Sequence, residues 1–458
     1  MSDHRLFRTV LVANRGEIAV RVIRTCRELS IPTAVVYSTE DRDALATRMA
    51  DQAVQIGPAP TRKSYLNMAA IMEAAAQCGA DAIHPGYGFL SEDADFATIC
   101  QDNGVTFIGP PPPLMKTLGD KAAARSLLAA TGLPVLPGGS GADATLRDAE
   151  ETAEQTGYPL IIKAAAGGGG RGMTVVRSPG ELAAAYRSIV ATAQQLFGDG
   201  SVYLERYLDR AKHIEVQVLC DQHGQAVSLG ERDCSVQRHK QKLIEETPAA
   251  SLPRAAARML GEQSARGAAQ IGLHGASTFE FLVDDAGRHY FMEVNCRIQV
   301  EHPVTEMVSG LDIVAEQIRI AAGHRLSVRQ DQVALHGHAI ECRINAEDPG
   351  HGFRPTPGRL AALRLPAGPF TRVDSYVAAG DSVSPAYDSL IAKVVTWGGD
   401  RETARARMAR ALREVHVEGA GMRDTSEFLR GIIDHPDFRA GGHTTTMIDT
   451  LADGGPRP

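Results

Sequence analysis

The 458-residue chain has seven scattered cysteines and no C-x-x-C pair, which argues against a zinc site or disulfide framework and for a reducing compartment. No run approaches the ~20 apolar residues that span a bilayer. The first ten residues lack the apolar core of a secretory signal, so a cytoplasmic protein is expected. Excess positive charge is also missing: the formal net charge is −7, which gives no support for general nucleic-acid binding. There is no G-x-x-x-x-G-K-[ST], so any phosphate binding does not use a P-loop. No internal repeat is evident. What remains is ordinary globular composition, 43% hydrophobic and 22% charged. The chain is too long for one core, and two or three domains are expected.

The most informative run is Tyr290-Phe-Met-Glu-Val-Asn-Cys-Arg-Ile-Gln-Val-Glu301. From Glu293 to Glu301 the odd positions are polar (Glu293, Asn295, Arg297, Gln299, Glu301) and the even ones apolar. In an extended chain these polar side chains share one face. The plain alternative is a half-buried strand with a solvated outer side. The preceding segment Ser277–Val283, followed by the turn-forming Asp284-Asp285-Ala286-Gly287, predicts a hairpin. Folded about residues 286–287, it sets Val283 opposite Tyr290 and Glu280 opposite Glu293. Facing carboxylates repel unless neutralised. With Asn295 they form an oxygen-rich set suited to Mg²⁺ or Mn²⁺. Arg297, Gln299 and Glu301 would extend that face with an anion-binding group and a possible base, pointing to chemistry on a phosphate.

The first hundred residues alternate strand and helix: strands at 9–13, 33–37, 82–84 and 105–108, and helices after Gly16 (Ile18, Val22, Cys26 and Leu29 on one face) and over 65–77. This predicts a parallel α/β, Rossmann-like sheet with functional loops at the carboxyl ends of its strands. Pro110–Pro113 marks a boundary. Residues 135–205 read as a small unit in which strand 160–164 leads through Ala166–Gly172 to strand 173–176. Gly167, Gly169 and Gly172 fit G-x-G-x-x-G, but a strand follows rather than a helix, which rejects a dinucleotide fingerprint. The loop is either a flap whose amides close over phosphates, with Lys163 just before it, or a flexible surface hairpin. Beyond 207 strands dominate (214–219, 226–231, the hairpin, 338–344), with helices near 312–322 and 401–414. Leu451–Pro458 is expected to fray.

A glycine flap with a preceding lysine, a paired-carboxylate metal site and no Walker motif resemble the ATP-grasp superfamily. Within it the chain is most similar to biotin carboxylases. The resemblance is carried by Val12–Ala19, His84–Glu92, Gly119-Asp-Lys121, Gly167–Met173, Glu231–Ser235, Arg297–Glu306 and Glu341–Pro349, in family order across nearly the whole chain. It implies an α/β and α+β multidomain ATP-grasp fold. The expected parts are an N-terminal parallel α/β domain (1–115), a connecting helical segment (116–134), a lid with the glycine flap (135–206), a C-terminal mixed-sheet domain (207–446) and a tail (447–458).

The resemblance implies that bicarbonate attacks the γ-phosphate of MgATP. The resulting carboxyphosphate breaks down to CO₂ and phosphate, the phosphate deprotonates biotin, and N1 of biotin is carboxylated. Lys121, Lys163, Gly169 and Gly170 would hold ATP phosphates. Glu205, Arg206 and Leu208 would form the adenine hinge, with His213, Gln237 and Lys240 also lining the nucleotide site. Glu280, Glu293 and Asn295 would bind two Mg²⁺ or Mn²⁺ ions. Lys242, Arg297, Gln299, Val300 (through its backbone) and Glu301 would bind bicarbonate. Glu301 would be the general base and Arg343 would bind biotin and stabilise its enolate. A homodimer is expected, as are a separate biotin carboxyl carrier and carboxyltransferase, since the chain has no Met-Lys-Met attachment motif. Acetyl-CoA carboxylase is the expected assembly, although pyruvate, propionyl-CoA and urea carboxylases use the same module.

Two departures stand out in Ser235–Lys242. His239 stands where the family usually has Arg, and Lys240 where it usually has His. If both lie on a strand they face opposite ways, so His239 does not replace the missing histidine. Arg206 replaces a hinge lysine, with little effect expected. His84, His213 and His302 also fit core or loop roles, Cys234 and Cys296 fit packing, and Arg15 and Glu17 fit a helix cap or interface ion pair. The remaining functional alternatives are another ATP-grasp ligase joining a carboxylate to an amine, or a non-catalytic nucleotide-binding paralogue.

Overall fold

The computed structural model describes residues 6–139, 145–165 and 172–452. The first sheet contains β1 (Val10–Val12), β2 (Thr33–Ser38), β3 (Gln52–Gly57), β4 (Ala82–His84) and β5 (Thr106–Phe107). They are parallel and ordered β3-β2-β1-β4-β5. The apolar strands β1 and β2 and the expected helix α1 (Gly16–Glu28) agree with the sequence pattern. Ile18, Val22 and Cys26 are buried. The edge strand β3 is the exception, because most of its residues are exposed or half-exposed and a solvated edge needs no apolar run. At the carboxyl ends of the central strands, the Asn14 amide donates to the carbonyls of Pro85 (2.7 Å) and Tyr87 (2.8 Å). This ties the turn after β1 to the His84–Phe89 loop.

A three-stranded antiparallel sheet follows, in which β6 (Leu160–Ala164) lies between β7 (Met173–Val176) and β8 (Val202–Arg206). Leu160, Ile162, Val176, Leu182, Ile189 and Leu204 form its core against two helices. The glycine loop, including Gly169 and Gly170, lies outside the described residues.

The large sheet has eight strands, all joined by antiparallel pairings. They are β9 (Lys212–Cys220), β10 (Ala226–Arg238), β11 (Gln241–Thr247), β12 (Gly275–Val283), β13 (His289–Asn295), β14 (His338–Asn345), β15 (Thr371–Ser375) and β16 (Leu390–Gly398). The spatial order is β13-β12-β9-β10-β11-β14-β16-β15. One side packs on helix Arg254–Gln270 and the other end on helix Arg401–Glu414.

Four local expectations are corrected. In the β12–β13 hairpin Glu280 does face Glu293, but an irregularity between Glu280 and Phe281 shifts the register. Val283 therefore faces His289, and Tyr290 faces Leu282. Strand β13 ends at Asn295, so Arg297, Gln299 and Glu301 are not a continuation of its face. Glu301 instead precedes helix His302–Ser309 as its N-cap. His239 and Lys240 are not strand residues. They are the two-residue turn between β10 and β11, with φ of 48° and 67°, which is the pattern of a type I′ hairpin. Their side chains therefore do not alternate between the faces of a strand. Finally, Met447–Ala452 is a helix whose Met447, Ile448 and Leu451 are buried in the C-terminal core, because these apolar residues recur at helical spacing.

Among the described residues no helix is long and apolar enough to cross a membrane. Leu451→Ala is expected to cost about 2 kcal/mol through cavity formation, read as a lower urea midpoint at unchanged m. A frayed terminus would leave the midpoint unmoved.

Candidate active site

Three acids stand side by side across three adjacent strands. Glu293 on β13 faces Glu280 on β12, and Glu280 faces Glu215 on β9. Arg232 on β10 faces Glu215 in turn. Such a row is unstable unless it is neutralised, and the neighbouring cations do so. Arg232, fully buried, donates to Glu215 (3.1 Å) and Gln217 (2.9 Å). Lys242 on β11 reaches Glu215, Glu280 (3.2 Å) and Glu301 (2.7 Å). His213 Nε2 meets Glu280 at 3.0 Å, and Lys121 meets Glu293 at 3.0 Å. Glu280 also accepts from Asn295 (2.7 Å) and Gln299 (2.9 Å).

Glu301 is the centre of the second half of the site. Its carboxylate is fully buried and lies between Lys242 and Arg343, the latter at 2.9 Å. Burial pushes the Glu301 carboxyl up, but Lys242, Arg343 and Arg232 outweigh it and hold the group well below the usual carboxylate range. Arg343 on β14 also donates to Glu245 at 2.7 Å. Arg297 pairs with Glu92 at 3.0 Å and donates to Asn295 Oδ1 at 3.0 Å. The loop after β4 thus reaches the site. Arg297, Gln299 and Glu301 converge as expected, although through an irregular segment rather than a strand face.

Towards the small sheet, Lys163 on β6 and Arg125 both pair with Glu205 on β8, the arginine at 2.9 Å. The Arg206 backbone donates to Pro137 O at 2.8 Å and its guanidinium to Thr156 O at 3.2 Å. Leu208 follows, half-buried. Gln237 Nε2 lies 3.2 Å from His213 Nδ1. The Lys240 ammonium has a lowered pKa, first from burial and then from neighbouring Lys163.

A cavity of about 770 Å³ is lined by Lys242 and Arg343, and also by Glu17, Tyr87, Val300 and Phe353.

Other histidines and cysteines take the plainer roles. Burial lowers His84 to about 4, and its Nδ1 accepts from Gly86 N–H at 3.0 Å. His302 is also pushed down, first by burial, and its Nδ1 meets Gln299 O at 2.8 Å. Burial pushes the Cys234 and Cys296 thiols up, which leaves them unreactive. Sequence reasoning missed Glu215, Arg232, Glu245 and Glu92 as members of the site. Glu215 was accessible to the argument used for Glu280 and Glu293, but only once β9 is known to pair with β12.

The carboxylates of Glu280 and Glu293 are hard oxygen donors in register, each already holding a lysine ammonium. This donor chemistry fits a divalent cation.

Comparison with known proteins agrees with this geometry. Residues 6–115 match the family model described as biotin carboxylase, N-terminal domain. Residues 120–329 match the carbamoyl-phosphate synthase L chain ATP-binding domain, and 341–450 the biotin carboxylase C-terminal domain. A biotin carboxylase from Nostoc sp. is 49% identical over 445 residues, 97% of this chain and 99% of that protein.

The chain belongs to the biotin carboxylase family.

Two solved structures extend the likeness to the fold. The biotin carboxylase–β-γ-ATP complex from Campylobacter jejuni is 45% identical with a TM-score of 0.94, covering 98% of this chain and 100% of that one. The biotin carboxylase domain dimer of Hydrogenobacter thermophilus 2-oxoglutarate carboxylase, with MgADP, ADP and bicarbonate, is 44% identical with a TM-score of 0.94, covering 98% of each chain. Both are ATP-grasp folds, as is this family member.

One electrostatic consequence follows from Glu215. Burial, only partly offset by Lys242, raises its carboxyl from 4.5 to about 7. Between those values the folded state holds a proton that the unfolded state has lost, so this group makes stability fall as pH rises. Glu215→Gln is therefore expected to flatten the pH dependence of the urea midpoint between pH 5 and 7. An unchanged slope would show that Glu215 is ionised throughout.

Proposed function

We propose that this biotin carboxylase family member carries out ATP-dependent carboxylation of biotin on a separate carrier protein, with bicarbonate as the carbon source. The observation that carries this reading is Glu301 held between Lys242 and Arg343, both of which line the cavity. A ligand in the 770 Å³ cavity would meet these two cations, and a nucleotide would enter beside Lys121 and Lys163.

Lys121, Lys163 and Lys240 supply positive charge for the ATP phosphates, with Gly169 and Gly170 completing that set. Glu205, Arg206 and Leu208 form the adenine hinge, and His213 and Gln237 line the nucleotide site. Glu280, Glu293 and Asn295 would hold Mg²⁺ or Mn²⁺, which neutralises phosphate charge when bound. Lys242, Arg297, Gln299 and the Val300 backbone would hold bicarbonate. Its arrival draws Lys242 away from Glu301 and weakens the attraction that keeps this carboxylate acidic. The site thus converts an inert carboxylate into a general base only when substrate is present. Arg343, which cannot lose its proton, then faces the developing negative charge on biotin.

Lys240 departs from the family pattern but keeps the cationic role. Two lysines close together favour an anion between them, and a positive-φ turn built from His and Lys rather than Asn and Gly is retained against local preference. We read the chain as a homodimer acting with a biotin carboxyl carrier and carboxyltransferase subunits, in the assembly of an acetyl-CoA carboxylase. The divisions at 115, 134 and 206 are supported by the separate five-, three- and eight-stranded sheets, whereas the buried helix Met447–Ala452 belongs with the C-terminal core rather than a tail.

The test is ADP release with MgATP and bicarbonate, with and without free biotin. Biotin-stimulated, bicarbonate-dependent release is expected, falling at least about 100-fold in Glu301→Gln. Lys240→His is expected to raise the KM for ATP less than about tenfold. Release that needs an amine instead of biotin would assign another ATP-grasp ligase. A wild-type chain without turnover, restored by Lys240→His, would assign a non-catalytic paralogue.

A further inference from the structure

Arg15 and Glu17 follow the first strand, and the reaction above uses neither. Arg15 has a structural role: it pairs with Asp41 through two 2.8 Å hydrogen bonds and lies 4.1 Å over the Tyr387 ring. Glu17 has no such account. Its carboxylate is 1% exposed in the first turn of α1. Oε1 accepts from the Tyr87 hydroxyl and from Lys393 Nζ at 2.9 Å, while buried Oε2 has no partner among the described residues.

Lys393 on β16 is wholly buried. A lysine kept entirely out of water is explained by what its three donors hold. One holds Glu17, and another donates to Val300 O at 2.8 Å. Asp374 lies 3.9 Å away. Lys393 also stands directly opposite Arg343 in the β14–β16 pair. Two cations facing each other are unfavourable without separate partners. Here they grip consecutive residues, Lys393 the carbonyl of Val300 and Arg343 the carboxylate of Glu301. The Val300 carbonyl shares its peptide plane with the Glu301 N–H. Fixing that plane fixes the point from which the Glu301 side chain departs.

We propose that Lys393, oriented by Glu17 and Tyr87, is a positioning residue for Glu301, coupling the first helix of the N-terminal sheet to the proposed base. The inference rests on the role given to Glu301 above. Lys393 touches no reacting atom, and its effect is on geometry. Misplacing a reacting group by about 1 Å costs on the order of 100-fold in rate.

Lys393→Met alone leaves Glu17 buried without a counter-charge and is a poor test. The double variant Glu17→Gln/Lys393→Met removes both charges at nearly constant volume. It is expected to unfold at close to the wild-type urea midpoint, while kcat falls at least about tenfold and the KM for ATP stays within about twofold. Tyr87→Phe removes only the hydroxyl and is expected to lower kcat about threefold. A folded double variant with wild-type kcat overturns the proposal, as does a matching loss in kcat and ATP affinity, which general loosening gives. If the double variant does not fold, unchanged kcat in Tyr87→Phe overturns it. The wild-type arm separates the two readings, because absence of biotin-stimulated turnover there is a failure of the proposed function. In that case a crystal structure decides: a double variant with the Val300 carbonyl and Glu301 carboxylate undisplaced overturns the positioning role.

Discussion

The structure depends on neutralising carboxylates that the large sheet forces into line. Glu293, Glu280 and Glu215 face one another across adjacent strands, and no strand in that row supplies its own counter-charge at the same level. The cations come from elsewhere. Lys121 starts a connecting helix, Arg232 sits on β10 and Lys242 on β11. Each ion pair therefore ties one part of the chain to another. Removing one partner leaves a buried charge uncompensated, at a cost of about 3–5 kcal/mol. Well-packed apolar residues would be cheaper, so the network is better explained by chemistry than by stability.

That chemistry has a common logic. The cations are held by carboxylates, already oriented and largely out of water. Preorganised charge of this kind does not need to be assembled when a substrate arrives. In the proposed reaction an incoming anion competes with Glu301 for Lys242 and with Glu92 for Arg297. The same competition that binds the anion then frees the base. Glu215 keeps Arg232 and part of Lys242 in place while this exchange occurs, which explains why an acid is retained in a wholly buried position.

Much of this was legible in the sequence because hairpins are local. The Glu280–Glu293 pairing needed only a turn signal and period-two alternation. Its register was right on the acidic side and wrong by one beyond the irregularity at Glu280/Phe281, a feature that leaves no compositional trace. The helices after Gly16 and at 401–414 followed from apolar spacing in the same way. Glu215 was not legible, since its pairing with Glu280 joins strands about sixty residues apart. The exposed strand β3 lacked an apolar pattern, and the C-terminal helix was hidden by a polar end. Arg297, Gln299 and Glu301 were assigned to one group by an alternation that the chain does not use, because the strand ends at Asn295. They meet because Gln299 and Arg297 bind back to Glu280 and Asn295.

The turn at His239-Lys240 shows where sequence comparison and geometry separate. Read as strand residues, the two appear to exchange faces with the family's Arg-His pair. On a type I′ turn both side chains leave from the tip of the hairpin, and inward and outward faces no longer apply. Lys240 can then keep its charge near Lys163 whatever residue stands at 239. An ammonium binds phosphate as a point charge without the directional demands of an imidazole. In the proposed reaction this position would have an electrostatic requirement that admits a change of residue type, whereas Glu301, held at both oxygens by different strands, would have a geometric one.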